Sequence, residues 1–184
     1  SSRKLGLDTY AVGGFVRDLI LKRPCKDIDF VCVGSGIQLA NEVGRELGNA
    51  QVTVFKNFGT AMIKHDDFDL EFVGARKESY RNESRKPVVE DGTLSEDQQR
   101  RDFTINALAI GLSPASYGEL IDPFEGVEHI RQKLIKTPLD PNITFSDDPL
   151  RMMRAIRFAA QLNFDIDADT YEAIIKNTHR LSIV

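Results

Sequence analysis

Two short segments near the start of the chain, taken together, restrict its fold more than any other part. Tyr10 to Asp18 reads YAVGGFVRD, an apolar run broken by Gly13 and Gly14 and followed by Arg17 and Asp18. Lys26 to Phe30 reads KDIDF, which sets Asp27 and Asp29 on alternate positions of a run that continues Phe30, Val31, Cys32, Val33. In a strand, alternate side chains share a face, so both carboxylates point the same way. Two like charges side by side are unfavourable unless a cation sits between them. A Gly-Gly turn leading into a helix exposes backbone N–H groups suited to a phosphate. Each segment alone also has an ordinary reading, as a strand-to-helix turn and as an edge strand with solvated carboxylates. Ile28, Phe30 and Val31 speak against the second, because unpaired charge in a buried neighbourhood is costly. Together the segments point to metal-assisted chemistry on a nucleoside triphosphate.

The 184 residues allow one good core or two small packed lobes, and a hydrophobic content of 41% is that of an ordinary soluble domain. No apolar run approaches the ~20 residues of a membrane span, and no signal peptide is read. Cys25 and Cys32 read as reduced thiols of a cytoplasmic protein, and no Cys/His cluster has zinc spacing. The net charge of −4 does not suggest a nucleic-acid binder, but its distribution matters more than its sum. Arg76, Lys77, Arg81, Arg85 and Lys86 outnumber Glu78 and Glu83, and Arg151, Arg154 and Arg157 form a second basic group. The ending Leu181-Ser-Ile-Val184, directly after a helical pattern, is expected of a piece of a longer protein.

Patterning predicts strands at Thr9 to Val12, Ile28 to Val33, Gln51 to Phe55, Thr60 to His65 and Phe68 to Val73, with a tight hairpin at Asp66-Asp67. It predicts helices at Gly14 to Leu21, Gly36 to Leu47, Arg100 to Ile110, Phe124 to Leu134, Asp147 to Leu162 and Ala168 to Thr178. Tyr80 to Gln98 is polar and reads as a mobile loop, and Thr137 to Pro141 as a linker. The order predicts an α+β fold: a small mixed sheet with flanking helices, then the start of an all-helical second domain.

Three further segments carry candidate chemistry. Asp69 and Glu71 share a strand face, which fits either a third carboxylate aimed at a metal or a plain half-exposed hairpin strand. Arg100-Arg101 at the start of a predicted helix, beside Asp102, needs an anionic partner, because cations are unfavourable at a helix N-terminus. A triphosphate or ribose site would supply one. Ser146-Asp147-Asp148-Pro149 is a helix-start signal with Ser146 as N-cap. Beyond it, Arg151, Arg154 and Arg157 recur at intervals of three among apolar residues, a stripe expected to bury a polar face against a ligand. Asp148 and Arg151 are neighbours on that surface; one accepts and the other donates, so the pair could read a base edge.

GGFVRD with DID, then RRDFTINALAI, IDPFEG and DDPLRMMRAIRF, in this order from about Tyr10 to Phe158, resembles the class II tRNA nucleotidyltransferase and bacterial poly(A) polymerase family of the polymerase-beta-like superfamily. The resemblance implies a nucleotidyltransferase head over residues 1–136 and the beginning of a helical, nucleotide-selecting neck over 137–184. It implies that Asp27 and Asp29 bind Mg²⁺ and that Gly13, Gly14 and Arg17 bind triphosphate; Glu71 stays a further metal candidate from its strand face alone. Arg101, Asp102 and Asn106 match the ribose- and phosphate-contacting motif. Asp148 and Arg151 match the pair that reads the incoming base in place of a template, and Arg154 a further arginine of that helix. Tyr80 to Gln98 matches a flexible loop needed for the final A addition. Two departures stand out: Asp147 replaces a usual Glu, and Glu128-His129 replaces a common Asp-Leu in the hinge motif.

The implied activity is template-independent addition of C and A to the 3′ end of tRNA from CTP and ATP. The alternatives are a poly(A) polymerase, which shares the motifs, and a non-catalytic nucleotide-binding regulatory module, against which Asp27 and Asp29 speak.

Overall fold

The structure, a computed structural model, describes residues 1–81 and 84–184. In chain order the elements begin with α1 (Ser2–Leu5), β1 (Thr9–Val12), α2 (Gly14–Ile20), β2 (Asp27–Cys32), α3 (Gly36–Glu46), β3 (Val52–Phe55), β4 (Thr60–His65) and β5 (Phe68–Gly74). Then come β6 (Arg76–Arg81), β7 (Ser84–Asp91), α4 (Leu94–Gln99), β8 (Ala109–Gly111), β9 (Leu120–Ile121), α5 (Gly126–Gln132) and β10 (Leu134–Ile135). The chain ends with α6 (Pro141–Asp147), α7 (Leu150–Leu162), β11 (Asp165–Ile166) and α8 (Ala168–Asn177).

A seven-stranded sheet runs in the order β3-β4-β5-β2-β1-β8-β9. Its neighbours are antiparallel except β2 and β5, which pair in parallel with Asp27 opposite Asp69 and Asp29 opposite Glu71. β1 crosses β2 so that Val12 faces Asp29, which brings the chain leaving β1 to the catalytic candidate. One sheet face packs on α3, where Leu39 and Ala40 meet Cys32, Ala61, Ile63 and Phe72 in a buried cluster. Ser35 caps α3, its hydroxyl accepting from the Gln38 N–H. Gly36 starts α3 hard against β5; a Cβ there would lie 2.7 Å from the Val73 backbone. The opposite face keeps Asp27, Asp29 and Glu71, because the strand period of two puts all of them away from α3.

A second, larger core joins Val16, Phe103, Ile105 and Leu108 to Phe145, Met152, Ala155, Phe158 and Leu162. It therefore unites α2 and the segment after α4 with the C-terminal helices. Asp140 caps α6 with Pro141 in its first turn, and Asp167 caps α8.

The observed elements correct several expectations. Tyr80 to Gln98 is not a loop over its described part: β6 and β7 pair as an antiparallel arm, and α4 follows behind a Thr93–Glu96 capping box. Asn82 and Glu83, which fell in the expected loop, lie outside the described residues. Arg100 to Ile110 is not a helix. A short 3₁₀ turn spans Thr104–Asn106 and β8 begins at Ala109; the segment is buried on nearly every side, so its apolar spacing carries no single-face signal. The expected helix from Asp147 divides into α6 and α7, with Asp148 extended between them and Ser146 inside α6 rather than capping. Among the described residues no helix is long and apolar enough to cross a membrane.

Candidate active site

Gly13 stands where β1 passes into α2, at φ 73° and ψ −137°, a conformation that only glycine adopts readily. A Cβ there would lie 3.0 Å from Arg101 Nη1 and 3.6 Å from Asp29 Oδ2, so the bare backbone is also what lets these two side chains approach. One turn on, Arg17 is buried. Its Nε and Nη2 donate to the two oxygens of Asp18, both at 2.9 Å, and its Nη1 donates to Asn106 Oδ1 at 2.7 Å. Asn106 Nδ2 donates to Asp102 Oδ1 at 3.0 Å, and Arg154 Nε donates to Asp102 Oδ2 at 2.6 Å. A continuous chain of hydrogen bonds thus runs from α2 to α7. The Phe158 ring supports it from below, with the guanidiniums of Arg17 and Arg154 5.2 and 5.1 Å from its centroid.

Arg100 and Arg101 face a partner within the chain, which corrects the expectation that they await an external anion. They follow the C-terminus of α4, where cations are favourable, and both pair with Asp97, which is fully buried. Burial works against the ionised Asp97, but the charges and hydrogen bonds of Arg101 and Arg100 outweigh it and hold the carboxyl below the usual range. The neighbouring Gln98 is buried as well, its Nε2 donating to the Ala107 and Ile121 carbonyls at 2.7 and 3.2 Å.

Across the cleft, Arg151 is buried on the inner side of α7. Its Nη2 donates to the Arg100 carbonyl at 2.8 Å and to the Tyr80 hydroxyl at 3.2 Å. Tyr80 donates in turn to Glu78, a buried carboxylate that also pairs with Arg76 and Arg100. Burial pushes the Tyr80 phenol well above its ordinary range. Asp148 Oδ1 accepts at 3.2 Å from the N–H of Leu150, the first residue of α7.

Ten of the candidate residues line one cleft of about 570 Å³: Gly13, Gly14, Arg17, Asp29, Arg101, Asp102, Asn106, Asp148, Arg151 and Arg154. Asp27 stands outside it at the exposed start of β2. Glu71 lines an adjoining depression of about 180 Å³ that shares Asp29, Arg100 and Arg101 with the cleft. Burial pushes the Asp29 carboxyl above its usual range, the Arg101 charge opposing and the Asp27 charge adding. Glu71 is pushed up by burial too, with Asp29 adding and Arg76 opposing. Among the described residues no group of three or more His, Cys, Asp or Glu is arranged to hold a metal ion. Two strand carboxylates still fit Mg²⁺, which takes hard oxygen donors and commonly only one or two carboxylates, with substrate phosphates completing its shell.

Sequence reasoning missed Asp97, Gln98 and Glu78. For Asp97 a signal existed: it precedes Arg100 and Arg101 by three and four residues, the spacing of neighbours on a helix surface.

A sheet carrying strand carboxylates beside a glycine turn and an arginine-lined cleft is the layout of a nucleotidyltransferase domain. The family model described as Poly A polymerase head domain matches residues 9–136. An A-adding tRNA nucleotidyltransferase of Aquifex aeolicus is 43% identical over 178 residues, which are 97% of this chain and 21% of that protein. A CCA-adding enzyme of Anoxybacillus flavithermus is 40% identical over 181 residues, 97% of this chain and 43% of that protein. A crystal structure of a tRNA nucleotidyltransferase complexed with a primer tRNA and an incoming ATP analog superposes with a TM-score of 0.83 at 39% identity, covering 97% of this chain and 48% of that one. The chain belongs to this family of tRNA nucleotidyltransferases and poly(A) polymerases. It spans less than half the length of each of these relatives.

Proposed function

We propose that this chain holds the catalytic site of a template-independent RNA nucleotidyltransferase, which adds C and A to the 3′ end of tRNA from CTP and ATP and releases pyrophosphate. The observation that carries this reading is the single cleft in which Asp29, the Gly13-Gly14 turn and the arginines 17, 101, 151 and 154 converge. Converging guanidiniums beside strand carboxylates suit a triphosphate, which carries both the anionic charge and the metal-binding oxygens. The names of the relatives, and the tRNA and ATP analog in one of them, support the substrate class. The setting we propose is the cytoplasm.

In this reading residues 1–136 form the head and 137–184 the first part of the neck. Gly13, Gly14 and Arg17 receive the triphosphate, while Arg101, Asp102 and Asn106 meet the ribose and phosphates. Asp27 and Asp29, with Glu71 beside them, would hold Mg²⁺, whose chemistry when bound is to acidify a hydroxyl and neutralise charge on a leaving pyrophosphate. The Arg17–Asn106–Asp102–Arg154 chain fixes its members before substrate arrives, so little reorganisation remains on binding. Asp148 accepts from the exocyclic amino group that C and A both carry, and Arg151 donates to a ring nitrogen or carbonyl.

The test uses the full-length protein, Mg²⁺ and each NTP separately, on tRNA lacking CCA, on tRNA ending in CC and on oligoadenylate. C and then A on the first substrate supports the reading. A alone, on tRNA ending in CC, supports the narrower A-adding activity, which the name of the 43%-identical relative favours. A long A tail on any RNA makes it a poly(A) polymerase. No incorporation on any substrate overturns the enzyme reading and leaves a nucleotide-binding module.

A further inference from the structure

Asp97 is a buried carboxylate that the reaction does not use directly, yet it holds two arginines of the cleft in a symmetrical way. Its Oδ2 accepts from Nε and Nη2 of Arg101, at 3.1 and 2.9 Å, and its Oδ1 accepts from the same two nitrogens of Arg100. Each oxygen therefore takes one edge of one guanidinium, and each arginine is left with Nη1 directed elsewhere. Nη1 of Arg100 donates to Glu78 at 3.3 Å. Nη1 of Arg101 reaches toward the Asn106 carbonyl, at 3.4 Å, and lies over Gly13. The backbone held by the first fork matters as well, because the Arg100 carbonyl accepts from Arg151 Nη2.

We propose that Asp97 is a positioning residue: it aims the Arg101 guanidinium over the Gly13 turn and Asp29, where a triphosphate would sit, and fixes the Arg100 carbonyl that steadies Arg151. The proposal rests on the nucleotidyltransferase reading. Three observations beyond the burial of Asp97 support it. Its helix is anchored on both flanks, by the Thr93–Glu96 capping box and by Gln98. Asp97 satisfies two positive charges at once, so neither arginine needs another anion to stay folded inward. Finally, Arg101 Nη1 and Asp29 Oδ2 approach the same bare face of Gly13, 3.0 and 3.6 Å from where a Cβ would stand, so the placement of the guanidinium bears directly on the candidate metal carboxylate.

A merely structural carboxylate and a positioning carboxylate differ in a double-mutant cycle. In the full-length enzyme, with wild-type addition established first so that failure of the functional reading is seen separately, Asp97→Asn keeps the shape of the side chain. It replaces one acceptor oxygen by a donor that cannot face a guanidinium. We expect the KM for every NTP to rise roughly tenfold or more, the scale of a charge-assisted bidentate contact, with the thermal transition still cooperative. Arg101→Ala should raise KM by a similar factor, and the double variant by little more than either single one, because the second loss removes a group already misplaced. Multiplying effects, or an unchanged KM in a folded Asp97→Asn enzyme, would overturn the proposal. Should Asp97→Asn fail to fold, Asp97→Glu takes its place: it keeps the neutralising charge and shifts both forks by one methylene. A raised KM in folded Asp97→Glu supports the positioning role, and a wild-type KM refutes it.

Discussion

At the scale of single residues, several polar groups of the site satisfy one another before any ligand is present, and Asp29 is held in a different balance. Arg17, Asn106, Asp102 and Arg154 are paired in series, whereas half-buried Asp29 is pushed toward its protonated form by desolvation, with the Arg101 charge opposing and the Asp27 charge adding. Such a group trades stability for readiness to bind a cation. Because folded Asp29 takes up its proton more readily than the unfolded chain does, the stability it contributes is fully present below about pH 3.8, its ordinary value, and is lost as pH rises through the raised folded value. Asp29→Asn should therefore melt higher than wild type at pH 7 without divalent cation, and the advantage should vanish near pH 3. Added Mg²⁺ should raise the melting temperature of the wild type and not of the variant. Thermal scans at both pH values, with and without Mg²⁺, check this. In the full-length protein the same substitution should abolish nucleotide addition; activity within about tenfold of wild type, roughly 1.4 kcal/mol in barrier, is too small a loss for a metal ligand.

At the scale of elements, the junction of α6 and α7 is the place where structure and selectivity meet. Asp148 accepts from the N–H of Leu150, the first residue of α7, and lines the cleft at the same time. Asp148→Ala should cost about 1 kcal/mol for the lost hydrogen bond to the first N–H of α7, read as a lowered denaturation midpoint. If it also reads the base, the ratio of kcat/KM for CTP and ATP over UTP and GTP should fall in the full-length enzyme. An unchanged order of preference would reduce Asp148 to that hydrogen bond. The elements that the sequence made legible share one property, a face that alternates cleanly. β1 to β5 and the Asp66-Asp67 turn lie where strand patterning puts them, and α3 and α8 start and stop within a residue or two of expectation. The β6–β7 arm was illegible because its few apolar residues, Pro87, Val88 and Val89, are consecutive rather than alternating, and the side chains Glu78 and Tyr80 that it turns inward are of types that patterning assigns to solvent. Asp97 and Gln98 hid for the same reason: a buried polar residue betrays itself only through its partners. The helix expected from Arg100 failed because burial on every side erases periodicity. The cleft residues were legible as motifs, but the hydrogen-bond chain joining them could not be read, since its links lie far apart in sequence.

At the scale of the whole molecule, one core crosses the expected boundary between residues 136 and 137. Phe145, Met152, Phe158, Leu162 and Phe164 pack with Val16, Phe103, Ile105 and Leu108. A chain ending at Lys136 would lose those five side chains, each worth about 1.5–3 kcal/mol of burial. Their sum, on the order of 10 kcal/mol, rivals the whole stability of an ordinary domain, about 5–15 kcal/mol. Residues 1–136 alone should unfold without a cooperative transition in urea, whereas the chain to Val184 should unfold in one. A sharp transition in the shorter chain would show that the head stands by itself. The parallel pairing of β2 with β5 has a further consequence, for the order of assembly. β3, β4 and β5 can zip together as successive hairpins, which are local and quick to form. β2 reaches β5 only after the chain has carried α3 across the sheet, a non-local and therefore late closure. Asp29 and Glu71 become neighbours only at that moment. A half-assembled chain therefore carries the paired carboxylates of β2 without Glu71 beside them, and the three-carboxylate face is complete only once β2 has closed onto β5.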